Sequence, residues 1–186
     1  MRNDDVYLQL YIIRHAESMG NIESEADFDK TNPPLTSLGK EQAKAAGERF
    51  AEFKPDALIS SPLERAAETA KEISVNCNTE IEFDDALVEC GTYGEESEEE
   101  SIERARCFIE KIKEKYSDNK SVILVSHGGF IEKLLYAVTG CDSMNFCVYN
   151  ASVTKINFRK DKKNKLAFHN DISHLIKTDG DKTFWM

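Results

Sequence analysis

Short apolar segments alternate along the chain with longer segments of helical periodicity. The short segments are rich in β-branched and aromatic residues and read YLQLYII from Tyr7, ALIS from Ala57, SVILVS from Ser121 and SVTKINF from Ser152. After each of the first three comes a segment in which apolar residues recur three or four positions apart. This alternation predicts an α/β domain built on a largely parallel sheet.

Capping signals mark where two of the predicted helices begin. Thr36 follows a Pro-Pro pair that closes a loop, and apolar residues then recur through Phe53, so a helix is predicted with Thr36 as its N-cap. Ser97 and Glu100 have the spacing of a capping box, and the helical pattern that follows them extends to Tyr116. Glutamates in the first turn and lysines toward the end of this second segment suit the helix dipole.

Two further helices are predicted from proline and glycine positions. A serine pair ending at Ser61 precedes Pro62, which predicts a serine cap with proline at the first helical position and a helix through about Ile73. Arg65 then lies in the first turn of that helix. The segment FIEKLLYAVT, after SVILVS, is predicted to be a helix that ends at Gly140.

Length and composition favour one globular domain. With 186 residues, 40% of them hydrophobic, the chain can bury an ordinary core, so we predict a single domain over 1–186. Apolar runs fall short of the roughly 18 to 20 residues that span a bilayer, and no signal-peptide pattern is present, so a cytoplasmic location is expected. The sequon NAS at Asn150 matters only in secreted proteins and is interpreted as chance.

Charge and cysteine usage exclude several classes of protein. A formal net charge of -10 disfavours nonspecific binding to nucleic acid or anionic membranes, and the basic stretch Arg159 to Lys165 is interpreted as a solvated hairpin turn. The five cysteines show no CxxC pair and no zinc-type spacing. We expect reduced thiols, most of them packed, and no metal site.

Cationic or titratable side chains appear where three of the predicted strands end. Arg14 and His15 follow the first strand, Arg65 follows the second, and His127 follows SVILVS. Because ligands of open α/β sheets bind at the carboxyl ends of the strands, these residues are expected to converge. Two guanidinium forks, with backbone donors of helix N-termini, suit the oxygens of a phosphate group.

A phosphoryl group in such a site needs a nucleophile, cationic stabilisers and a proton donor for the leaving oxygen. A neutral imidazole is a competent nucleophile, and both His15 and His127 are candidates on position alone. The sequence lacks a GxxxxGK loop and a cysteine followed six positions later by arginine. DGDKT at 179–183 matches an aspartate-nucleophile motif, but it lies too near the C-terminus for the rest of that site and is interpreted as a surface tail.

Four motifs in this order resemble the histidine phosphatase, or phosphoglycerate mutase-like, superfamily: RHAES with Asn21, LTSLGKEQA, SSPLERAAETA and SHGG. The resemblance covers about residues 8 to 130, and NASVTKINF is similar to a late strand of the family. It implies a three-layer α/β/α sandwich, with His15 as the transient phosphohistidine. It also implies that Arg14, Arg65 and His127 surround the phosphoryl group and that Asn21 helps to hold it.

The proton donor is expected in the segment ALVECGTYGEESEEE. Members of the family carry an acidic residue in a segment of the form LxE before a glycine-containing loop, and Glu89 matches that position although the loop after it departs from the family spacing. Asp84, Asp85 and Glu95 are alternatives. Glu89 is favoured because it follows two apolar residues, and a general acid at neutral pH needs a sheltered carboxyl group.

The resemblance and the residues together predict a metal-independent phosphomonoesterase that needs no cofactor and forms a phosphohistidine. The expected substrate is a phosphorylated small metabolite or a phosphoprotein. Phosphoglycerate mutase-type phosphoryl transfer and a non-catalytic phosphate-recognising module are the alternatives. An acidic, lid-like segment over about 90–104, whose glutamates also suit the start of a helix, would disfavour bisphosphates if it overhangs the site.

Overall fold

The computed structural model describes residues 5–22, 28–141 and 143–175 and shows six strands and four α-helices there. The DGDKT segment lies outside the described residues. The strands are β1 Val6–Arg14, β2 Ala57–Ser60, β3 Ile81–Phe83, β4 Lys120–Ser126, β5 Val153–Arg159 and β6 Lys165–Asp171. The helices are α1 Ser37–Arg49, α2 Glu64–Cys77, α3 Glu98–Lys115 and α4 Gly128–Thr139.

The strands form one sheet in the order β3-β2-β4-β1-β5-β6. The first four strands of that order are parallel, whereas β5 and β6 are antiparallel to their neighbours. Arg14 at the end of β1 pairs with Ser126 at the end of β4, and Ser60 at the end of β2 pairs with Val125. The carboxyl ends of these three strands are therefore level, and the predicted mostly parallel sheet is confirmed.

Helices cover both faces of the sheet. Alternate side chains of β4 enter two separate cores: Val122 and Leu124 pack on the side of α3 and α4, while Ile123 and Val125 pack on the side of α1 and α2. All four are fully buried, and each contributes about 1.5–3 kcal/mol by leaving water. Alternation with period two sends successive residues to opposite faces. The three-layer α/β/α architecture is confirmed.

The predicted capping signals of α1 and α3 are confirmed. Thr36 Oγ1 accepts a hydrogen bond of 2.9 Å from the backbone N–H of Gly39. Ser97 and Glu100 form the reciprocal capping box of α3. Gly140 ends α4 with φ of 66°, a left-handed conformation that glycine adopts without strain. None of the helices in the described ranges is both long and apolar enough to cross a membrane.

The predicted limits of α2 are wrong at both ends. The helix begins at Glu64 rather than Pro62, because Leu63 is extended and its carbonyl accepts the first helical hydrogen bonds. The hydroxyl of Ser61 instead accepts the Leu63 N–H and hydrogen-bonds a histidine. The helix continues past Ile73 to Cys77, where Asn78 ends it in the left-handed region. Arg65 nevertheless lies in the first turn, as predicted.

The expectation that most cysteines are packed is also wrong. All five thiols are free, but only Cys77 is buried. Cys107 is exposed on α3, and Cys147 is exposed in the segment before β5. Cys107 is exposed because it lies outside the buried face of α3, which Ala105, Phe108, Ile109 and Ile112 form.

A half-buried histidine just beyond β6 contacts α1, and this contact predicts an acid-sensitive step in stability. The predicted basic turn joins β5 to β6, and beyond β6 His174 Nδ1 accepts a hydrogen bond of 3.0 Å from Arg49 Nη1. Burial, followed by repulsion from Arg49, lowers the pKa of His174 to about 4. The neutral ring is therefore the folded-state form across most of the mildly acidic range.

Replacing His174 by asparagine should reduce the loss of stability on acidification. Above a pH of about 6.5 the His174 ring is neutral in both the folded and the unfolded chain. Below that pH the ring takes up a proton in the unfolded chain but stays neutral in the folded chain, so the free energy of unfolding falls. We expect wild type to lose about 1 to 2 kcal/mol more than His174→Asn between pH 7.5 and pH 5, measured by urea unfolding. An identical loss in both proteins would contradict the prediction.

Candidate active site

The strand-end residues converge on one cavity at the carboxyl edge of the sheet. The cavity has a volume of about 280 Å³. Its lining includes five residues predicted from the sequence, namely Arg14, His15, Asn21, Arg65 and Glu89. His127 is fully buried beneath it, with its ring centroid 5.0 Å from that of His15. The structure thus brings together side chains that come from four separate parts of the chain.

His15 is held as a neutral imidazole with its Nε2 lone pair toward the cavity arginine. Its Nδ1 donates a 2.7 Å hydrogen bond to the carbonyl of Ala16, and its Nε2 accepts one of 3.2 Å from Arg65 Nε. The side chain is 3% exposed. Burial lowers the pKa of His15 well below its ordinary value, and the charge of Arg14 adds to the effect. A neutral ring with a directed lone pair is the form of histidine that acts as a nucleophile.

His127 is held differently from His15. Its Nε2 lies 2.8 Å from the hydroxyl of Ser61, while Nδ1 is buried without a hydrogen-bond partner among the described residues. Burial lowers the pKa of His127 far below its ordinary value, and His15 and the neighbouring arginines lower it further. Because His127 is not among the residues that line the cavity, His15 is the more accessible of the two rings.

The two arginines present buried donors at the cavity. Arg14 Nη1 donates a 2.6 Å hydrogen bond to the carbonyl of Val148, which fixes the guanidinium plane. Within the described part of the chain, Arg14 Nε and Arg65 Nη1 are buried and have no acceptor. Burial lowers the pKa of both guanidinium groups, and the Glu89 carboxylate opposes that shift. Paired cationic donors of this kind suit an anion that has several oxygens.

Asn21 presents its amide N–H₂ as the donor end. Its Oδ1 accepts hydrogen bonds of 3.0 Å from both the backbone N–H and the hydroxyl of Ser18, and one of 3.2 Å from Asn150 Nδ2. A backbone N–H can only donate, so the oxygen of the Asn21 amide must face Ser18. The nitrogen is then the atom available to donate to an anion.

Glu89 is docked on the first turn of α4. Its Oε1 accepts hydrogen bonds from the backbone N–H of Phe130 at 2.9 Å and of Cys90 at 3.0 Å, and its Oε2 accepts one of 3.2 Å from Gly129. A Cβ on Gly129 would lie 2.7 Å from Oε1, so only glycine leaves room for this carboxylate. The backbone donors at the N-terminus of α4 therefore hold Glu89.

The alternative carboxylates lie elsewhere. Asp84 pairs with Lys111 at 2.7 Å, and Asp85 accepts a hydrogen bond from the Tyr93 hydroxyl. Glu95 is exposed and, like Asp85, lines a separate cavity next to the first. Of the four candidates, Glu89 is the one that lines the cavity of His15.

The acidic segment over 90–104 comprises a loop and the first turns of α3. Its loop lines the neighbouring cavity of about 490 Å³, and Glu89 lines both cavities. Arg104 attaches the loop to α4. It forms a 2.7 Å ion pair with the Glu96 carboxylate, and its guanidinium carbon lies 3.9 Å from the ring centroid of Phe130. The segment therefore borders the site on the side of Glu89.

Sequence reasoning missed several residues of the site. Lys30, Thr31 and Pro33 line the cavity from the loop before α1, where a lysine ahead of a Pro-Pro pair was the available signal. Ser61 was interpreted as a helix cap although it hydrogen-bonds His127. Asn150 was set aside as a chance sequon although it contacts Asn21.

A sequence model of the histidine phosphatase superfamily (branch 1) matches residues 10–95 and 91–171, a span that contains every predicted site residue. The chain belongs to the histidine phosphatase superfamily. This member of the superfamily is 29% identical to the Uncharacterized phosphatase PhoE of Bacillus subtilis in an alignment 188 positions long, which covers 88% of the chain and 95% of that protein.

Solved structures of the same fold also resemble this superfamily member. A phosphoserine phosphatase mutant from Entamoeba histolytica in complex with phosphoserine matches with a TM-score of 0.74 and 21% identity, over 91% of the chain and 100% of that structure. A phosphoglycerate mutase from Bacillus anthracis matches with a TM-score of 0.72 and 20% identity, over 94% and 98%. These likenesses confirm the phosphoglycerate mutase-like fold.

Proposed function

We propose that the protein is a metal-independent phosphomonoesterase that works through a phosphohistidine on His15. The observation that carries this proposal is the neutral imidazole of His15, whose Nε2 lies 3.2 Å from a cavity arginine. Nucleophile and cationic clamp are thus adjacent before any substrate binds. Arg14 and Arg65 supply the positive charge that phosphatases of other types take from a metal ion.

In the first step, His15 Nε2 attacks phosphorus in line with the ester oxygen. The N–P bond forms as the P–O bond to the leaving group breaks, while Arg14 and Arg65 stabilise the charge on the equatorial oxygens. Asn21 donates to the same oxygens. Glu89, as the carboxylic acid, gives its proton to the leaving oxygen, so the product departs as a neutral alcohol.

In the second step, water attacks the phosphohistidine. Glu89, now a carboxylate, takes a proton from that water as its oxygen bonds to phosphorus and the N–P bond breaks. The products are inorganic phosphate and free His15. His127, neutral because of its burial, packs behind His15 and supports that ring without placing a second positive charge beside Arg14 and Arg65.

A small phosphorylated metabolite is the substrate class that the cavity suits best. Its volume of about 280 Å³ is at the lower end of ligand pockets, which accommodates a phosphoryl group with a short leaving group. Phosphoserine, the ligand named for the similar Entamoeba structure, has this size and character. The acidic loop that borders Glu89 disfavours a second phosphate by like-charge repulsion.

Turnover of phosphate monoesters tests the proposal. Purified protein, with and without excess EDTA, is assayed for phosphate release from p-nitrophenyl phosphate, phosphoserine, 3-phosphoglycerate and fructose 1,6-bisphosphate. We expect monoester turnover that EDTA leaves unchanged, and slower turnover of the bisphosphate. Activity that depends on added divalent metal would overturn metal independence. Isomerisation of 3-phosphoglycerate with a bisphosphoglycerate primer, faster than phosphate release, would instead establish a mutase.

Gly129 tests whether the docked position of Glu89 matters. Gly129→Ala places a methyl group where the carboxylate lies, so the flexible Glu89 side chain moves while the backbone stays. We expect kcat for phosphoserine to fall roughly tenfold, because proton transfer needs the carboxyl within hydrogen-bond reach. The melting temperature, measured alongside, should be unchanged or higher, since alanine is the better helix former.

The double variant Gly129→Ala with Glu89→Gln provides the control. If the alanine acts only by displacing Glu89, it should cause no further loss once the carboxyl is gone. A full additional tenfold loss in the double variant would show that Gly129 acts by another route.

A further inference from the structure

One asparagine outside the cavity lining connects two parts of the proposed phosphate site. Asn150 Nδ2 donates a 3.1 Å hydrogen bond to the carbonyl of His15 and a 3.2 Å hydrogen bond to Asn21 Oδ1. These contacts join residues that are more than a hundred positions apart in the chain. Asn150 lies in the short segment between α4 and β5, and the cavity lining does not include it.

The contact of Asn150 with Asn21 acts on the orientation of the Asn21 amide. The amide oxygen of Asn21 accepts three donors, two from Ser18 and one from Asn150. Since all three lie on the oxygen side, a flipped amide would put its N–H₂ group against other donors. Asn150 therefore helps to keep the donor end of Asn21 on the side of the phosphoryl group.

The contact of Asn150 with the His15 carbonyl acts on the main chain of the proposed nucleophile. The His15 carbonyl accepts the Asn150 side chain and also the backbone N–H of Ala151 at 3.2 Å. In the same segment, the carbonyl of Val148 holds Arg14 Nη1 at 2.6 Å, and the carbonyl of Ser152 accepts the backbone N–H of Arg14. The segment 148–152 thus contacts His15 and two residues proposed to bind the phosphoryl group, Arg14 and Asn21.

The conformation of this segment is enforced rather than adopted by default. Ala151 has φ of 54° and is fully buried, although residues other than glycine are disfavoured in the left-handed region. That backbone turn brings both the side chain of Asn150 and the N–H of Ala151 to the same carbonyl. A surrounding structure that holds such a conformation is typical of functional sites.

We propose that Asn150 is a positioning residue, which orients the Asn21 amide and the His15 main chain for phosphoryl binding. An effect of Asn150 on turnover rests on the proposed function, whereas its effect on phosphate binding does not. It assigns to Asn150 no contact with the substrate. Its effect on the phosphoryl group passes through Asn21 and His15.

A double-mutant cycle tests the inference with inorganic phosphate as the binding probe. Calorimetry gives Kd for phosphate in wild type, Asn150→Ala, Asn21→Ala and the double variant, and p-nitrophenyl phosphate gives kcat/KM for the same proteins. We expect Asn150→Ala to raise Kd roughly fivefold to tenfold. The double variant should raise Kd by less than the product of the two single effects, because the part of the Asn150 effect that passes through Asn21 is already lost in Asn21→Ala. Asn164→Ala, in the exposed β5–β6 turn, is the matched control and should behave as wild type.

Asn150→Asp provides a second variant of the same shape. It replaces the two N–H donors by an anionic oxygen that faces Asn21 Oδ1 and the His15 carbonyl, so it should weaken phosphate binding more than Asn150→Ala does. A purely structural role would lower the melting temperature of both variants and leave Kd unchanged. That result, additive effects in the cycle, or a wild type that binds no phosphate would each overturn the inference.

The same measurements separate this inference from the proposed function. If phosphate binding follows the expected cycle while none of the proteins hydrolyses any monoester, the positioning role stands and the phosphatase proposal fails. If wild type hydrolyses monoesters but Asn150→Ala and Asn150→Asp leave both Kd and kcat/KM unchanged, the phosphatase proposal stands and the positioning role fails.

Discussion

Replacing His15 by alanine should reduce kcat/KM for p-nitrophenyl phosphate by about 10³-fold or more, because it removes the neutral imidazole whose Nε2 lies 3.2 Å from the Arg65 guanidinium. The clamp of Arg14 and Arg65 stays in place, so the variant should still bind inorganic phosphate. Wild type that is mixed with a radiolabelled monoester and quenched in alkaline denaturant should carry base-stable, acid-labile label on His15. The alanine variant should carry none.

His174→Asn is the matched control for this experiment, since it removes a histidine that contacts Arg49 rather than the cavity. It should retain wild-type kcat/KM at neutral pH. The assignment of the nucleophile fails if His15→Ala keeps a tenth or more of the activity. Label on His127 in the wild type would also contradict it, because that ring is fully buried behind His15.

Glu89→Gln should impair turnover in a way that depends on the leaving group. For phosphoserine, whose alkoxide leaves poorly without a proton, kcat should fall by about 10²- to 10⁴-fold. For p-nitrophenyl phosphate, the first step needs little acid assistance, whereas attack by water on the phosphohistidine still lacks its base. Rapid mixing should therefore show a burst of p-nitrophenol followed by a slow steady state.

Asp85→Asn is the matched carboxylate variant. Asp85 lines the neighbouring cavity and accepts a hydrogen bond from Tyr93, so its loss should leave both substrates near wild-type rates. Equal losses for the two substrates in Glu89→Gln, without a burst, would contradict the role of Glu89. A burst in Asp85→Asn would move that role to Asp85.

The parts of the site that could be predicted depend on local signals and on one rule of topology. Arg14, Arg65 and His127 each follow an apolar run closely, and parallel strands place such positions at one edge of the sheet. The register of the sheet then brings Arg14 level with His127, because Arg14 pairs with Ser126, the last residue of β4. No long-range information was needed beyond strand order.

The parts that could not be predicted depend on contacts between distant segments. Ser61 looked like a helix cap because a Ser-Pro pair is a local signal, yet its hydroxyl meets His127 across the sheet edge. Asn150 has no local signal, because its partners are the carbonyl of His15 and the amide of Asn21. The fit between Gly129 and Glu89 is likewise visible only when both are in place.

The position of β1 in the sheet has a consequence for biosynthesis. β1 is made first among the strands, but its two partners, β4 and β5, begin at Lys120 and Val153. The apolar strand that precedes His15 is therefore synthesised more than a hundred residues before its first partner, and such non-local pairing is slow and prone to aggregation. Nascent chains that stop at the end of α4 leave the β1 edge beside His15 open and lack the 148–152 segment, which contacts Arg14 and Asn21.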